Sequence, residues 1–180
     1  MSYFKSLTGP RVYLSPMRVE DAEIYCRWLN DPAVTEKLGM SGKGNMPLES
    51  ERKWITENGD RYQYAIVHLS DDVLLGNCGF NKIDALNQSA EVGVFLGDES
   101  QWNKGYGAEA LGLLVTYGFR QLNLHSIYLH VFGFNARAMA CYCKLGFTEC
   151  GRRHESHYIN GAWQDEVTME LLRDDWAARI

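Results

Sequence analysis

The 180 residues are 46% hydrophobic and 23% charged, which is typical of one globular domain and too few for two domains with sizeable cores. A formal net charge of −5 disfavours a nucleic-acid partner and favours cationic ones such as amines, and no apolar run approaches the about 20 residues that span a bilayer. The first residues lack a signal-peptide core and the five cysteines form no Cys-x-x-Cys pair, so we expect free thiols in the cytoplasm, with no metal and no membrane partner.

The N-terminal half of the sequence predicts one strand, two helices and a three-stranded meander. Apolar residues alternate over Val12–Leu14, and helical spacing follows within Val19–Leu29, where acidic side chains fill the first turn. The glycine-rich stretch Gly39–Asn45 is expected to be a loop, and a second helix is expected from Pro47 to Asn58. Three short runs with strand character come next and predict antiparallel neighbours: Tyr64–Leu69, Leu74–Ile83 and Glu91–Leu96.

The C-terminal half alternates helices with strands. A long helix is predicted over Gly105–Leu122, and Asn160-Gly161 predicts a hairpin because this dipeptide tolerates the positive φ angles of a tight turn. The remaining predicted elements are a strand at Ile127–Phe132, a helix at Asn135–Leu145, and strands at Thr148–His157 and Gln164–Leu172. This order predicts one α/β domain over residues 1–180, with a mixed, mostly antiparallel sheet of seven strands flanked by about four helices.

The segment Glu91–Ala110 carries the strongest functional signal, because a strand, a short polar loop and Gly-Tyr-Gly open a helix. A helix start exposes unpaired N–H groups at the positive end of the helix dipole, and these bind phosphate oxygens. Gly105 and Gly107 let a ligand approach the backbone closely, and Lys104 adds a cation at the rim. The alternative is a helix start whose glycines only permit the turn, and the spacing alone does not decide between the two.

The same glycines also fit the dinucleotide-binding pattern G-x-G-x-x-A over Gly105–Ala110. That pattern requires a βαβ unit and an acidic residue about 20 positions later, which holds the ribose. The chain has His125–Leu129 there, without a carboxylate, and the preceding strands indicate a meander. A doubly wound nucleotide-binding fold is therefore disfavoured. A P-loop is excluded because G-x-x-x-x-G-K-[ST] does not occur.

A second candidate segment lies near the predicted helix at Asn135–Leu145. Asn135 can cap this helix, and Tyr142 lies two turns further along the same face. A phenol at this position can donate a proton to a leaving group. The alternative, which the spacing alone favours, is a half-buried aromatic ring with a satisfied hydroxyl.

Taken together, these patterns resemble the GNAT superfamily of acetyltransferases. They are most similar to its Rim-type branch, which includes ribosomal-protein N-terminal acetyltransferases and spermidine N-acetyltransferases. Four segments carry the resemblance in the family's order: Arg11–Leu14 with Glu20–Ala22 and Trp28–Asp31, then Trp102–Ala110, then Asn135–Phe147, and finally Asn160-Gly161 followed by Asp165 and Met169.

The resemblance implies a GNAT fold and transfer of an acetyl group from acetyl-CoA to a primary amine. It implies that Asn135 bonds to the cofactor arm and that Tyr142 protonates the departing thiolate. It also implies that backbone groups of Val94, Phe95 and Leu96 pair with the pantetheine amides. The pyrophosphate would be held by amides of Trp102, Asn103, Lys104, Gly105, Tyr106, Gly107 and Ala108, and Lys144 is a further candidate for cofactor binding. The family often has Gln or Arg where this chain has Trp102.

The acceptor amine decides how much a general base matters. At pH 7 a lysine-like amine with a pKa of about 10.4 loses its proton at a cost of roughly 4–5 kcal/mol, whereas a peptide α-amine loses it at about 1 kcal/mol. Glu91 is the candidate base, because the strand it begins runs toward the implied thioester site. Its alternative is a carboxylate on a solvated strand face. Glu109 is assigned to the electrostatics of the first helical turn.

The predicted acceptor is a protein N-terminal α-amine, bound by the Gly39–Trp54 region and the Ile159–Trp163 hairpin that vary within the family. One alternative is a small-molecule acetyltransferase that acts on a polyamine such as spermidine, an amino sugar or an aminoglycoside. Another is a non-catalytic acyl-CoA sensor, which the presence of Tyr142 disfavours. A homodimer is compatible with the resemblance.

Overall fold

The structure is a computed structural model that describes residues 3–40, 44–59 and 62–179. Its strands are β1 (Leu7–Thr8), β2 (Val12–Pro16), β3 (Gln63–His68), β4 (Leu74–Asp84), β5 (Ser89–Leu96), β6 (Ser126–Phe132), β7 (Thr148–Ile159) and β8 (Ala162–Leu172). Its helices are α1 (Ala22–Trp28), α2 (Pro32–Lys37), α3 (Leu48–Asn58), α4 (Tyr106–Arg120), α5 (Ala136–Leu145) and α6 (Arg173–Ala177). Within these described ranges no helix is long and apolar enough to span a membrane.

The predicted strands and helices are confirmed with small shifts at their ends, but the predicted numbers were too low. The described residues form eight strands rather than seven and six helices rather than about four. The additional strand, β1, has only two residues and no alternation to reveal it. Of the two additional helices, α2 and α6, the first had a local signal, since Asp31 accepts a capping bond from the N–H of Ala33 and Pro32 opens the helix. The predicted loop Gly39–Asn45 includes residues 41–43, which lie outside the described part of the chain.

The strands follow the order β1-β2-β3-β4-β5-β6-β8-β7. Strands β1 to β4 pair antiparallel, as do β6 with β8 and β8 with β7. Strands β5 and β6 pair in parallel, with Ser89–Glu91 of β5 opposite Ser126–Tyr128 of β6. The predicted mixed, mostly antiparallel α/β sheet is therefore confirmed.

The chain divides into two compact units. The first comprises Met1–Gly79 and Val94–Leu114, and the second comprises Phe80–Gly93 and Val115–Ile180, so that β4, β5 and α4 supply residues to both. The core of the first unit is an apolar cluster formed by β2 and the residue after it, β3, the start of β4, α1 and α3, with these buried members: Tyr13, Met17, Ala22, Tyr25, Ile55, Ala65, Val67 and Leu74. The rings of Trp28 and Phe95 pack edge-on against Tyr25 at this cluster.

The core of the second unit lies on one face of β6 and β8. Alternate residues of these strands are buried, as expected for strands with one covered face: Ile127, Leu129, Val131, Val167, Met169 and Leu171. The hairpin between β7 and β8 turns at Asn160 and Gly161, whose φ angles are 50° and 81°, and the flanking Ile159 pairs with Ala162. Two successive positive φ angles are those of the predicted tight turn, which is confirmed.

Candidate functional site

In the turn directly before α4, the backbone φ angles alternate in sign. Asn103 and Gly105 have positive φ angles of 62° and 84°, and Lys104 lies between them. Alternating left-handed and right-handed residues turn successive N–H groups toward one concave side, where anions bind. The helix follows at once, and its N–H of Glu109 donates to the carbonyl of Gly105 at 3.0 Å. The earlier N–H groups of this first turn therefore have no acceptor within the helix.

The two glycines of this turn differ in what they do. Gly105 has a left-handed backbone, and a Cβ atom there would lie 3.1 Å from Nη2 of Arg11, so the turn itself requires glycine. At Gly107 a Cβ atom would meet only Leu96 and Val94, at ordinary contact distances of 3.8–4.0 Å. Packing therefore permits a small side chain at Gly107. The side chains of Leu96 and Val94 lie on the side of Gly107 toward which a Cβ atom would point.

Trp102 is engaged inside the loop that precedes the turn. Its backbone N–H donates to the carbonyl of Glu99 at 3.0 Å, and its indole N–H donates to the carbonyl of Leu96 at 2.9 Å. The Trp102 amide is thus occupied, which narrows the predicted pyrophosphate-binding amides to those from Asn103 to Ala108. Lys104 has its ammonium group 3.2 Å from Oε1 of Gln101, at the exposed rim of the loop as predicted.

Arg11, which the sequence did not single out as a site residue, ties this turn to the start of β2. Its Nη1 donates to the carbonyl of Lys104 at 2.7 Å, and its Nε donates to Oε2 of Glu109 at 2.8 Å. The other carboxylate oxygen of Glu109 accepts from the backbone N–H groups of Arg11 and Val12, at 2.7 and 3.0 Å. Glu109 was assigned to the helix dipole, and the structure shows that its carboxylate is bound by Arg11 and β2.

These contacts determine the ionisation of Glu109, whose side chain is only 13% exposed. Burial by itself would raise the pKa of this carboxyl. The hydrogen bonds from the N–H groups of Arg11 and Val12, together with the Arg11 guanidinium, outweigh burial and lower the pKa. Glu109 is therefore ionised at neutral pH, and the Arg11 guanidinium balances its negative charge.

The side chain of Tyr106, between the two glycines, is held on two sides. The guanidinium of Arg11 lies 5.3 Å from the ring centroid, and the His68 ring packs edge-on at the same centroid distance. The Tyr106 hydroxyl is 3.4 Å from Nε2 of His68, while Nδ1 of His68 is 2.7 Å from a carboxylate oxygen of Asp71. Sequence spacing gave no sign of His68, because it comes from the end of β3.

The segment predicted to pair with pantetheine amides, Val94–Leu96, forms the end of β5. The carbonyl of Leu96 accepts from the Trp102 indole, and the N–H of the following Gly97 donates to Leu75 on β4 at 3.0 Å. The loop and β4 thus hold the end of this strand, beside the start of α4.

Glu91, the candidate base, lies within β5 rather than at its first residue. It is half-buried, and its Oε1 accepts from the amide of Asn81 on β4 at 3.3 Å. Asn81 thus holds the Glu91 carboxylate with a hydrogen bond. The role of Glu91 as a catalytic base remains a prediction.

Asn135 caps α5, as the sequence predicts. Its side-chain oxygen accepts from the N–H of Ala138 at 3.2 Å. A bond from Asn135 to a ligand would therefore come from its Nδ2 amide group. Gly146 ends the helix with a φ of 103°, so both ends of α5 have the expected capping residues.

Tyr142 and Lys144 both lie on α5, but in different environments. Tyr142 is buried, with 9% of its surface exposed, and its ring packs edge-on against Phe147 at 6.2 Å. Burial raises the pKa of the Tyr142 phenol to about 12, so the hydroxyl keeps its proton at neutral pH. Lys144 is exposed.

The two histidines near the hairpin pair with carboxylates separately. His154 contacts Asp165 at 3.2 Å, and His157 lies 3.7 Å from Glu166. Within residues 3–40, 44–59 and 62–179, no three His, Cys, Asp or Glu side chains gather in a group that could hold a metal ion. All five cysteines are free thiols, as predicted.

Comparison with known protein families gives one match that decides the family. The acetyltransferase (GNAT) domain matches residues 11–148, which includes the loop at the start of α4 and the whole of α5. This chain belongs to the GNAT family. It is therefore an N-acetyltransferase, and the predicted resemblance is confirmed.

Individual relatives agree with this assignment. The spermidine N(1)-acetyltransferase of Vibrio cholerae is 31% identical over 130 residues, which cover 72% of this chain and 68% of the relative. The crystal structure of spermidine N-acetyltransferase from the same organism, in complex with CoA and spermine, has a TM-score of 0.82 at 23% identity and covers 94% of this chain and 99% of that one. The structure of RimL, a ribosomal L7/L12 alpha-N-protein acetyltransferase, has a TM-score of 0.73 at 19% identity, with 91% of each chain covered. The two structural matches show the same fold.

Proposed function

We propose that this N-acetyltransferase takes its acetyl group from acetyl-CoA and binds the pyrophosphate of that donor with amides from Asn103 to Ala108. The observation that carries the proposal is the alternation of backbone angles at Asn103 and Gly105, directly before the N-terminus of α4. A concave run of N–H groups and the positive end of a helix each bind anions, and here they coincide.

The neutral amine nitrogen of the acceptor bonds to the acetyl carbonyl carbon, and the carbon–sulfur bond of the donor breaks. We assign Tyr142 to protonate the departing sulfur, and Glu91 to take the proton that the amine loses, directly or through water. Backbone groups of Val94–Leu96 and the Nδ2 group of Asn135 would orient the donor arm.

The acidity of Tyr142 sets a condition on this step. With a pKa of about 12, its phenol is a weaker acid than a thiol with a reference pKa of about 8.5. Complete proton transfer is therefore favourable only if the sulfur leaves into a desolvated environment, since desolvation raises the pKa of a thiol as well.

The leading acceptor is a protein N-terminal α-amine. Such an amine loses its proton at neutral pH for about 1 kcal/mol, so catalysis depends little on a strong base. Glu91 is compatible with this requirement, since it is half-buried and already accepts a hydrogen bond from Asn81.

The second candidate acceptor is a polyamine. It is favoured by a relative named as a spermidine N(1)-acetyltransferase that is 31% identical to this chain, and by the net charge of −5, which suits a multiply charged cation. For this acceptor the deprotonation cost is several kcal/mol higher, and Glu91 would have a larger part in the reaction.

An acetyl-transfer screen with release of free CoA as its readout tests the proposal. The acceptors are N-terminal peptides, spermidine, an amino sugar and an aminoglycoside, and the Gly107→Glu variant is the donor-binding control. We expect turnover with a primary amine in the wild type and clearly lower turnover in the control at the same donor concentration. Donor binding without turnover of any amine would favour an acyl-CoA sensor, and the absence of CoA binding at millimolar concentration would contradict the proposed donor.

A further inference from the structure

One side chain, Arg11, contacts both the turn at Lys104 and the first turn of α4. It donates to the carbonyl of Lys104, pairs with the carboxylate of Glu109 and lies over the ring of Tyr106. We propose that Arg11 is a positioning residue for the donor site: it fixes the orientation of the amides that bind pyrophosphate and cancels the nearby negative charge. This inference rests on the proposed use of acetyl-CoA.

The planarity of the peptide bond links the Arg11 contact to the orientation of the Gly105 N–H. The carbonyl of Lys104 and the N–H of Gly105 belong to one peptide unit and, since the bond is trans, point in opposite directions. A guanidinium that holds the carbonyl at 2.7 Å therefore directs the Gly105 N–H away from Arg11. Arg11 also lies 3.1 Å from the position of a Gly105 Cβ, so it packs directly against this peptide unit.

Arg11 also compensates the negative charge of Glu109. This carboxylate lies in the first turn of α4, the same helix start that is proposed to receive a pyrophosphate. A free carboxylate there would repel the ligand, because like charges a few ångströms apart in a partly buried site interact strongly. The Nε of Arg11 at 2.8 Å and the two backbone N–H groups of β2 compensate the charge of Glu109 and hold it at β2.

Only arginine has the shape to perform both tasks at once. Nε and Nη1 of one planar guanidinium donate to two different acceptors, the carboxylate of Glu109 and the carbonyl of Lys104, while the same plane lies 5.3 Å from the Tyr106 ring centroid. A lysine ammonium is a single point of charge and does not reproduce this fork. The Arg11→Lys variant should therefore keep a positive charge beside Glu109 but lose the hydrogen bond that orients the peptide unit between Lys104 and Gly105.

The test measures binding of two ligands by calorimetry: CoA, and pantetheine, which lacks the pyrophosphate. For Arg11→Gln we expect CoA to bind about tenfold more weakly, which corresponds to the loss of one charge-assisted interaction, while pantetheine binding changes less than about twofold. Arg11→Lys should show an intermediate loss for CoA. The matched control is Arg52→Gln, which removes an exposed arginine of α3 that pairs with Glu49, and it should bind both ligands like the wild type.

Amide hydrogen exchange of the ligand-free protein provides a second readout that does not depend on the donor. Exchange in residues 103–108 should speed up in Arg11→Gln and stay unchanged in Arg52→Gln, with thermal melts as a check on folding. Equal losses for CoA and pantetheine, or unchanged CoA binding, would overturn the role of Arg11 while leaving the proposed function intact. Failure of the wild type to bind CoA would overturn both.

Discussion

At the scale of single residues, the clearest prediction concerns Tyr142. If its phenol protonates the departing sulfur, Tyr142→Phe should lower turnover by about 10²–10⁴-fold, the usual contribution of a general acid. CoA affinity should change little, since Phe preserves the ring that packs against Phe147. Because the pKa of Tyr142 is about 12, its ionisation should not appear in rate–pH profiles below about pH 11. Steady-state kinetics with the best acceptor, alongside thermal melts, make the measurement, and wild-type turnover would reduce Tyr142 to a packing residue.

A second residue-scale prediction separates the two acceptor classes through Glu91. Glu91→Gln keeps an oxygen that can accept from Asn81 but removes the base. Transfer to a polyamine should fall more than transfer to an α-amine, since the amine with the higher pKa is harder to deprotonate. Rate–pH profiles with spermidine and with an N-terminal peptide provide the comparison. A small and equal loss for both acceptors would assign Glu91 to the structure of β5.

At the scale of secondary-structure elements, the start of α4 is the feature to test. Gly107→Ala should retain CoA binding, because the added carbon meets Leu96 and Val94 at ordinary contact distances. Gly107→Glu adds bulk and negative charge where pyrophosphate is proposed to bind, and should weaken CoA by at least about tenfold. Calorimetric titration of both variants measures this difference, and equal affinities would show that the helix start does not bind the donor.

Two substitutions of Asn135, at the N-terminus of α5, should differ in their effect on stability but not in their effect on CoA binding. Asn135→Ser retains a capping oxygen, whereas Asn135→Ala loses it and should reduce the free energy of unfolding by about 1 kcal/mol. Both variants lack the Nδ2 group. If that group binds the donor arm, both should show the same weakening of CoA, although only the Ala variant is destabilised. Normal CoA binding by Asn135→Ser would leave Asn135 with capping alone.

At the scale of the whole molecule, two buried carboxyl groups in the first unit affect global stability. Asp21 is 6% exposed and its Oδ2 has no hydrogen-bond partner among the described atoms, and Glu51 on α3 is 4% exposed. Burial raises the pKa of both groups above their ordinary values. The folded state therefore binds protons more tightly than the unfolded chain, and the protein should lose stability as the pH rises through these raised values.

Replacing Glu51 by Gln removes this pH dependence at one site. At pH 7 the variant should be more stable than the wild type by about 1 kcal/mol, because burying a neutral amide costs less than burying a carboxylate. The difference should vanish at about pH 3, where the wild-type carboxyl is almost entirely neutral in both the folded and the unfolded state, since an unperturbed Glu has a pKa of about 4.3. Urea unfolding at both pH values tests this, with the exposed Glu49→Gln on the same helix as control. A destabilised Glu51→Gln at pH 7 would mean that the carboxylate has an essential partner.

The sequence by itself determined the elements and the family. Helices and strands were predicted closely because periodicity and caps are local, as at Asn135 and at the Asn160-Gly161 turn. The glycine pattern before α4 likewise predicted the turn, since positive φ angles favour glycine and asparagine. The short β1 escaped prediction because a two-residue strand is defined by its partner β2 rather than by its own side chains.

Only the tertiary structure decided which residues support the candidate donor site. The Arg11 backbone and the Glu109 side chain are 98 positions apart, so no local pattern links them, yet their contacts fix the turn at Lys104. It also showed that the Trp102 amide is occupied, that the left-handed backbone requires glycine at 105, and that packing does not require it at 107. The physical reason is that hydrogen-bond partners and burial depend on chain segments brought together by the fold, whereas local sequence determines mainly backbone preference.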